Sequence, residues 1–174
     1  MKKILFAAAL GLAACGEPAD KAPAERPAVV KLGELAPQIK LDKIVSGGPA
    51  AINGWEDLKG KAVVLEFWGT YCDPCVENIP HFNSLAARFA GKPVVFLSVS
   101  RESEQDVRDF LRDHEMSGIV AADAPAAYRS FRVMGIPHTV LLDKESRVAK
   151  VTYPSDVDEQ VLNSLLDGGL KAGG

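Results

Sequence analysis

The sequence predicts an α/β protein in which helices pack on a mixed central sheet. Three observations carry this. The runs 61–67 and 93–100 are almost wholly apolar and rich in Val, as strands buried on both faces are. Segments whose apolar residues recur at helical spacing alternate with them. A hairpin pattern and a capped last helix follow, so antiparallel neighbours must join the parallel ones.

The elements read in order as follows. Residues 38–58 predict two short strands about the Gly47-Gly48-Pro49 turn, then a turn of helix ending at Leu58. Residues 61–67 form a central strand interrupted only by Glu66. Residues 72–90 are helical, with Pro80 inside as a kink. The strand at 93–100 precedes a helix that Ser103 and Asp106 cap, with Val107, Phe110 and Leu111 on one face. A short strand at 119–122 leads to a helix opened by Asp123 and Pro125 and running to about Val133. Residues 139–143 and 147–153 make the hairpin. Ser155 and Asp158 cap the last helix, which stops at Gly168-Gly169.

The 174-residue chain suits one domain with short appendages. At 47% hydrophobic, 25% charged and net charge −3 it has material for a real core. It lacks the Lys/Arg cluster that a nucleic-acid partner requires. Lys2 and Lys3 precede an unbroken apolar and small run, 4–14, too short for a bilayer, which takes about 20 residues. Residues 1–14 are therefore expected to be an export signal. They end in Leu12-Ala13-Ala14-Cys15, which resembles the lipobox of bacterial lipoproteins. That likeness implies lipidation of Cys15, an anchor to membrane on the periplasmic side of the envelope and, with Gly16 next, sorting to the outer membrane. An ordinary cleavage site with Cys15 there by chance is the alternative. Residues 15–32, rich in Ala, Pro and charge, read as a semi-rigid tether, and 33–174 as the folded domain.

With Cys15 assigned to the anchor, Cys72 and Cys75 are the remaining cysteines. Zinc sites usually need four ligands, and no second C-x-x-C exists, so no metal or other cofactor is expected. Cys72 lies where a strand gives way to a helix, whose free N–H groups and macrodipole stabilise a thiolate. Cys75 lies one turn on, where it can close a small disulfide ring. Cys72 is thus the expected nucleophile toward a client disulfide and Cys75 the resolving thiol. Pro74 fits the first helical turn, and Asp73 opposes thiolate formation at Cys72, which tunes the couple toward the reducing end.

The run Phe67-Trp68-Gly69-Thr70-Tyr71-Cys72-Asp73-Pro74-Cys75, with Gly135-Ile136-Pro137-His138-Thr139 later, resembles the TlpA/ResA branch of thioredoxin-fold proteins. The resemblance spans roughly 33–167. It implies a thioredoxin fold with a mixed central sheet, an N-terminal β extension and an inserted βα unit at 93–114. It implies a membrane-anchored thiol–disulfide oxidoreductase, acting as a reductase on disulfide-bearing exported proteins, cytochrome c maturation among the roles. Such a reductase draws on a membrane electron donor. By the same resemblance Ile136-Pro137 is a cis-proline loop, Pro137 packs on the disulfide, the Ile136 backbone pairs with a client strand, Trp68 and Tyr71 contact the client, and Tyr71 shields the pair. Glu66 matches the buried acid of plain thioredoxins. A buried carboxyl there would have a raised pKa and accept the proton of Cys75 during resolution; a carboxylate reaching the sheet edge is the other reading. Two departures stand out: Tyr71 replaces the usual Trp, and Asn78 replaces a Glu found in many members, with Glu77 expected to point elsewhere on the helix.

Three other functions compete. An oxidase or isomerase would use the same pair with a more oxidising couple. A copper chaperone would use Cys72, Cys75 and His138. A peroxidase would use Cys72 with Thr70 before it. His81, His114 and His138 are given no catalytic role.

Overall fold

The computed structural model describes residues 30–170; the expected export signal, Cys15 and nearly all of the tether lie outside the described residues. Among the described residues no helix is long and apolar enough to cross a membrane.

Among the described residues six strands form one mixed sheet in the order β1-β4-β3-β2-β5-β6. The central strand β2 (Ala62–Trp68) is buried along its whole length. It pairs in parallel with β3 (Val94–Ser100) and antiparallel with β5 (His138–Leu142). Beyond β3 lies β4 (Ile119–Ala121), parallel, and then β1 (Ile44–Ser46), antiparallel. The hairpin partner β6 (Val148–Thr152) closes the far edge.

Alternation along β2 divides the core. Val63, Leu65 and Phe67 face a cluster that includes Ile52, Trp55, Tyr128 and Phe131. That layer comprises the N-terminal segment and helix α3 (Pro125–Ser130). Ala62 and Val64 face Phe82, Leu85 and Leu162. These belong to helices α1 (Asp73–Arg88) and α4 (Glu159–Leu166). On that same face Trp68 meets Val107 of helix α2 (Glu104–Phe110) together with Val120, Cys72 and Cys75.

Three local expectations change. The strand pair over 38–58 reduces to β1 and an isolated bridge between Leu41 and Ile52, because β1 pairs across to β4 instead. Gly47 allows it: at φ 72° a side chain there would run into the Gly118 carbonyl. Helix α3 ends at Ser130 rather than near Val133, since Arg132 turns left-handed at φ 51°. The last helix is capped by Asp158, whose carboxylate accepts the Val161 N–H at 2.8 Å, while Ser155 lies in a 3-10 turn before it.

Candidate active site

The site occupies the sheet edge where the parallel strands β2, β3 and β4 end, the place where loops of an open α/β sheet converge. After Trp68 the chain turns over 69–71, and Cys72 becomes the N-cap of α1. The Cys75 N–H points at Cys72 Sγ, 3.3 Å away. The two sulfurs are joined as a disulfide. Pro74 occupies the first turn, where its missing N–H leaves no gap, and Asp73 is exposed beside it. Cys75 is 2% exposed and Cys72 7%. When the bond is reduced, the amide aimed at Cys72 Sγ and the positive end of a sixteen-residue helix both favour a thiolate there.

The loop before Cys72 is held from β3. Glu102, two residues past that strand, accepts the Thr70 N–H at 2.7 Å and the Thr70 hydroxyl at 2.6 Å. Ser100 donates to the same carboxylate at 3.0 Å and accepts the Glu102 N–H at 3.1 Å. Gly69 leaves room for this arrangement. A Cβ there would come within 3.2 Å of the Tyr71 ring, the Glu102 carboxylate and the Ile136 side chain. Arg101 donates to the Tyr71 hydroxyl at 2.9 Å and lies 5.7 Å over the Tyr128 ring. The Tyr128 hydroxyl in turn donates to the Trp68 carbonyl at 2.6 Å. Burial holds that phenol well above its ordinary pKa, so it stays a donor. Glu102 was not singled out in the sequence. Its only signal is an acidic residue just past a strand end, with its partner 32 positions away.

The Ile136–Pro137 bond is cis, and both residues are half-buried. Ile136 also packs against the cluster that holds both cysteines. Tyr71, 57% exposed, stands at the rim. Trp68 does not: it is 1% exposed, with its ring 5.4 Å from Phe110 and its indole N–H unpartnered. A client cannot touch it, so the expected client contact is corrected to a floor beneath the cysteines.

Glu66 points to the α1 face, level with Ser98 on one neighbour and Thr139 on the other. It is 4% exposed, so it does not reach the sheet edge. Ser98 donates to it at 3.4 Å, and the Thr139 hydroxyl has no partner. Loss of hydration outweighs that hydrogen bond and raises the Glu66 pKa from 4.5 to about 8. His138 is paired with Phe67, 6.0 Å between rings, on the opposite face from Glu66 and Trp68. Burial lowers its pKa. Its imidazole is therefore turned away from the cysteines. The Thr70 hydroxyl is engaged by Glu102. Asn78 is half-buried with an unpartnered side-chain N–H, and lines a hollow with Pro74, Pro137 and Tyr153. Glu77, expected to point elsewhere, lines the same hollow.

Comparison with known proteins gives a consistent picture. Residues 32–151 match the model of the AhpC/TSA family. A protein named thiol-disulfide oxidoreductase ResA from Bacillus cereus is 32% identical over 108 residues, covering 61% of this chain and 62% of that protein. The thioredoxin-like protein YneN from Bacillus subtilis is 29% identical over 125 residues, 70% of this chain and 71% of that one. The chain thus spans about three-fifths of the length of the ResA relatives it matches. Among solved structures, one from Chlorobium tepidum, provisionally described as a thiol:disulfide interchange protein DsbE, superposes with a TM-score of 0.67 at 25% identity. It covers 81% of this chain and 99% of that chain. The fold is thioredoxin-like.

Proposed function

The chain belongs to the AhpC/TSA family, and from that premise we propose that it is a thiol–disulfide oxidoreductase, working as a disulfide reductase on exported proteins. One observation carries the reading. The Cys72–Cys75 pair sits at the start of α1, its outer sulfur facing a backbone N–H and its inner sulfur buried, beside the Ile136–Pro137 loop. The names of the ResA and DsbE relatives support it.

In the reducing direction the Cys72 thiolate attacks one sulfur of the client disulfide. That S–S bond breaks, a mixed disulfide forms, and the client's other sulfur leaves as a thiolate and takes a proton. Cys75 then loses its proton and attacks Cys72 Sγ. The client's second thiolate departs, and the Cys72–Cys75 disulfide remains. Two electrons have passed to the client, and a membrane dithiol donor restores the pair. Glu66 serves as the proton acceptor for Cys75 in its ionised form: with a pKa of about 8 the carboxyl is mostly protonated at neutral pH, and the fraction able to take the thiol's proton grows as pH rises through 8, close to the ordinary thiol pKa of about 8.5. Export with a lipid anchor on Cys15 completes the proposal, and cytochrome c maturation is the cellular role it fits.

Redox titration of the purified chain against dithiothreitol or glutathione buffers tests this. A reductase is expected near thioredoxin, about −270 mV; a value near about −120 mV, that of a strong oxidant, refutes the direction. Failure of the pair to cycle at all refutes the activity.

A further inference from the structure

We propose that the hydroxyls of Thr139 and Thr152, ending on the Asp156 carboxylate, form the path by which the proton accepted at Glu66 leaves for solvent. This rests on the oxidoreductase reading with Glu66 as its proton acceptor, and adds the residues that reset that acceptor between turnovers.

Each resolution step delivers one proton from Cys75 to Glu66, and that proton has to leave before the next. Glu66 is buried, so bulk water does not collect it directly. The sheet leaves one polar direction around the carboxyl. Along β2 its neighbours on the same face are Val64 and Trp68, both buried. Val64 is apolar, and the Trp68 indole can donate a hydrogen bond but cannot take a proton. Toward β3 stands Ser98, and next in register is Val120 of β4, fully buried, which closes that side. Toward β5 stands Thr139, and beyond it in register Thr152 of β6. Thr152 is half-buried, and its hydroxyl donates at 3.1 Å to Asp156, which is exposed. Ser98, Glu66, Thr139 and Thr152 thus make one row across four strands, and the row runs out to a surface carboxylate. Two other ionisable groups near this face lie off the row. Lys150 stands opposite Leu141, and His81 is bonded to the Val157 carbonyl.

Thr139 is the telling member. It is fully buried, and its hydroxyl has no partner among the described residues. A buried hydroxyl without a partner is destabilising, and Val has the same shape without it. Directly opposed residues of antiparallel strands hold their Cβ atoms about 4.5–5.5 Å apart, so this hydroxyl stands between Glu66 and Thr152. Free of a fixed partner, it can turn about χ1 to face either one, and it carries both a donor and an acceptor. In the transfer, the O–H bond of the Glu66 carboxyl breaks and the Thr139 oxygen takes the proton while passing its own to the Thr152 oxygen. Thr152 gives its proton to the Asp156 carboxylate, which releases it to water. Each threonine ends with one proton, and Glu66 is again a carboxylate able to accept from Cys75.

Hydrogen–deuterium exchange at the Glu66 carboxyl tests the path without turnover. Rapid-mixing infrared spectroscopy of the oxidised protein at about pH 6, where Glu66 is protonated, follows the carboxyl band that Glu66→Gln removes. Proton transfer through a positioned group is worth about 10²–10⁴-fold, so Thr139→Val should slow this exchange by roughly tenfold or more. Thr152→Val should slow it similarly and Asp156→Asn less, since water can replace an exposed acceptor. Thr139→Ser, which keeps the hydroxyl, should restore the wild-type rate. Thermal unfolding verifies the fold, and the half-buried and exposed sites at Thr152 and Asp156 carry the test if Thr139→Val fails to fold. The same order should appear in the chemistry. With the dithiol protein in excess oxidised glutathione, the lifetime of the Cys72–glutathione adduct, read by quenched flow and mass spectrometry, should lengthen in Thr139→Val and recover in Thr139→Ser. Exchange as fast in Thr139→Val as in wild type, no recovery in Thr139→Ser, or an unchanged adduct lifetime overturns the path and leaves the oxidoreductase reading intact. Loss of no band in Glu66→Gln overturns the acceptor and the path together. A protein that forms neither adduct nor disulfide refutes the oxidoreductase reading, and the exchange rates then still decide the path.

Discussion

Replacing Glu66 by Gln keeps the side chain's shape and removes its titration, which isolates the cost of a buried acid at the centre of the sheet. The folded state raises the Glu66 pKa from 4.5 to about 8 because burial strips water from the carboxylate. Between those values the folded protein holds a proton that the unfolded chain has released. The associated stability is complete below about pH 4.5 and is lost as pH rises through about 8. At about 1.4 kcal/mol per pKa unit, the loss amounts to roughly 5 kcal/mol, comparable with the whole stability of a small domain. Gln finds the Ser98 hydroxyl on one side and the unpartnered Thr139 hydroxyl on the other, so it should fit without a new orphan. Urea unfolding of the oxidised protein at pH 5, 7 and 9 measures the effect, the intact disulfide keeping both thiols out of the titration. The variant should be near wild type at pH 5 and several kcal/mol more stable at pH 9. A difference that stays constant from pH 5 to 9 would show that Glu66 does not carry a raised pKa, and the proton-acceptor role would fall with it.

Four further outcomes are expected. Cys75→Ser should accumulate mixed disulfides with clients on non-reducing gels and Cys72→Ser should not; equal trapping would reverse the assigned roles. Asp73→His should raise the reduction potential by about 30–60 mV, since about 1.4 kcal/mol corresponds to 30 mV for two electrons; no shift in redox titration would remove Asp73 from the tuning of the pair. Glu102→Ala leaves the Thr70 N–H and hydroxyl without acceptors and should cost about 2–3 kcal/mol in urea unfolding and slow attack by Cys72, with Glu102→Gln recovering part of both; a neutral Ala variant would mean the brace is not formed in solution. Cys15→Ser should abolish lipidation by mass spectrometry and release the protein from membranes, and a wild-type protein with Cys15 unmodified would refute the anchor.

What the sequence made legible follows how far apart the determining residues are. The Cys72 and Cys75 pair was readable because both residues and the helix start that activates them fall within one turn. Strands β2 and β3 were readable because a doubly buried strand writes its environment into consecutive residues. The end of α3 was not, since Arg132 adopts a left-handed conformation that its residue type does not announce. The burial of Trp68 was missed for a related reason. An aromatic four residues before a redox cysteine reads equally as rim or floor until Val107, Phe110 and Val120 close over it from elements far along the chain.

The loop after β3 shows why such a site resists reading from one dimension. Its consecutive residues turn to opposite tasks: Glu102 draws Thr70 inward, and Arg101, lying over the Tyr128 ring, holds the Tyr71 hydroxyl at the rim. Both act on the stretch leading into Cys72, so the position of the nucleophile depends on a single turn of backbone. That turn is itself anchored, because Asp123 and Ala124 donate their N–H groups to the carbonyls of Glu102 and Ser100 at 2.8 and 3.1 Å. The entry to Cys72 is thus positioned by hydrogen bonds rather than by proximity alone: substitutions at Arg101 should loosen Tyr71 at the rim, whereas those at Glu102 should release Thr70 beneath the nucleophile.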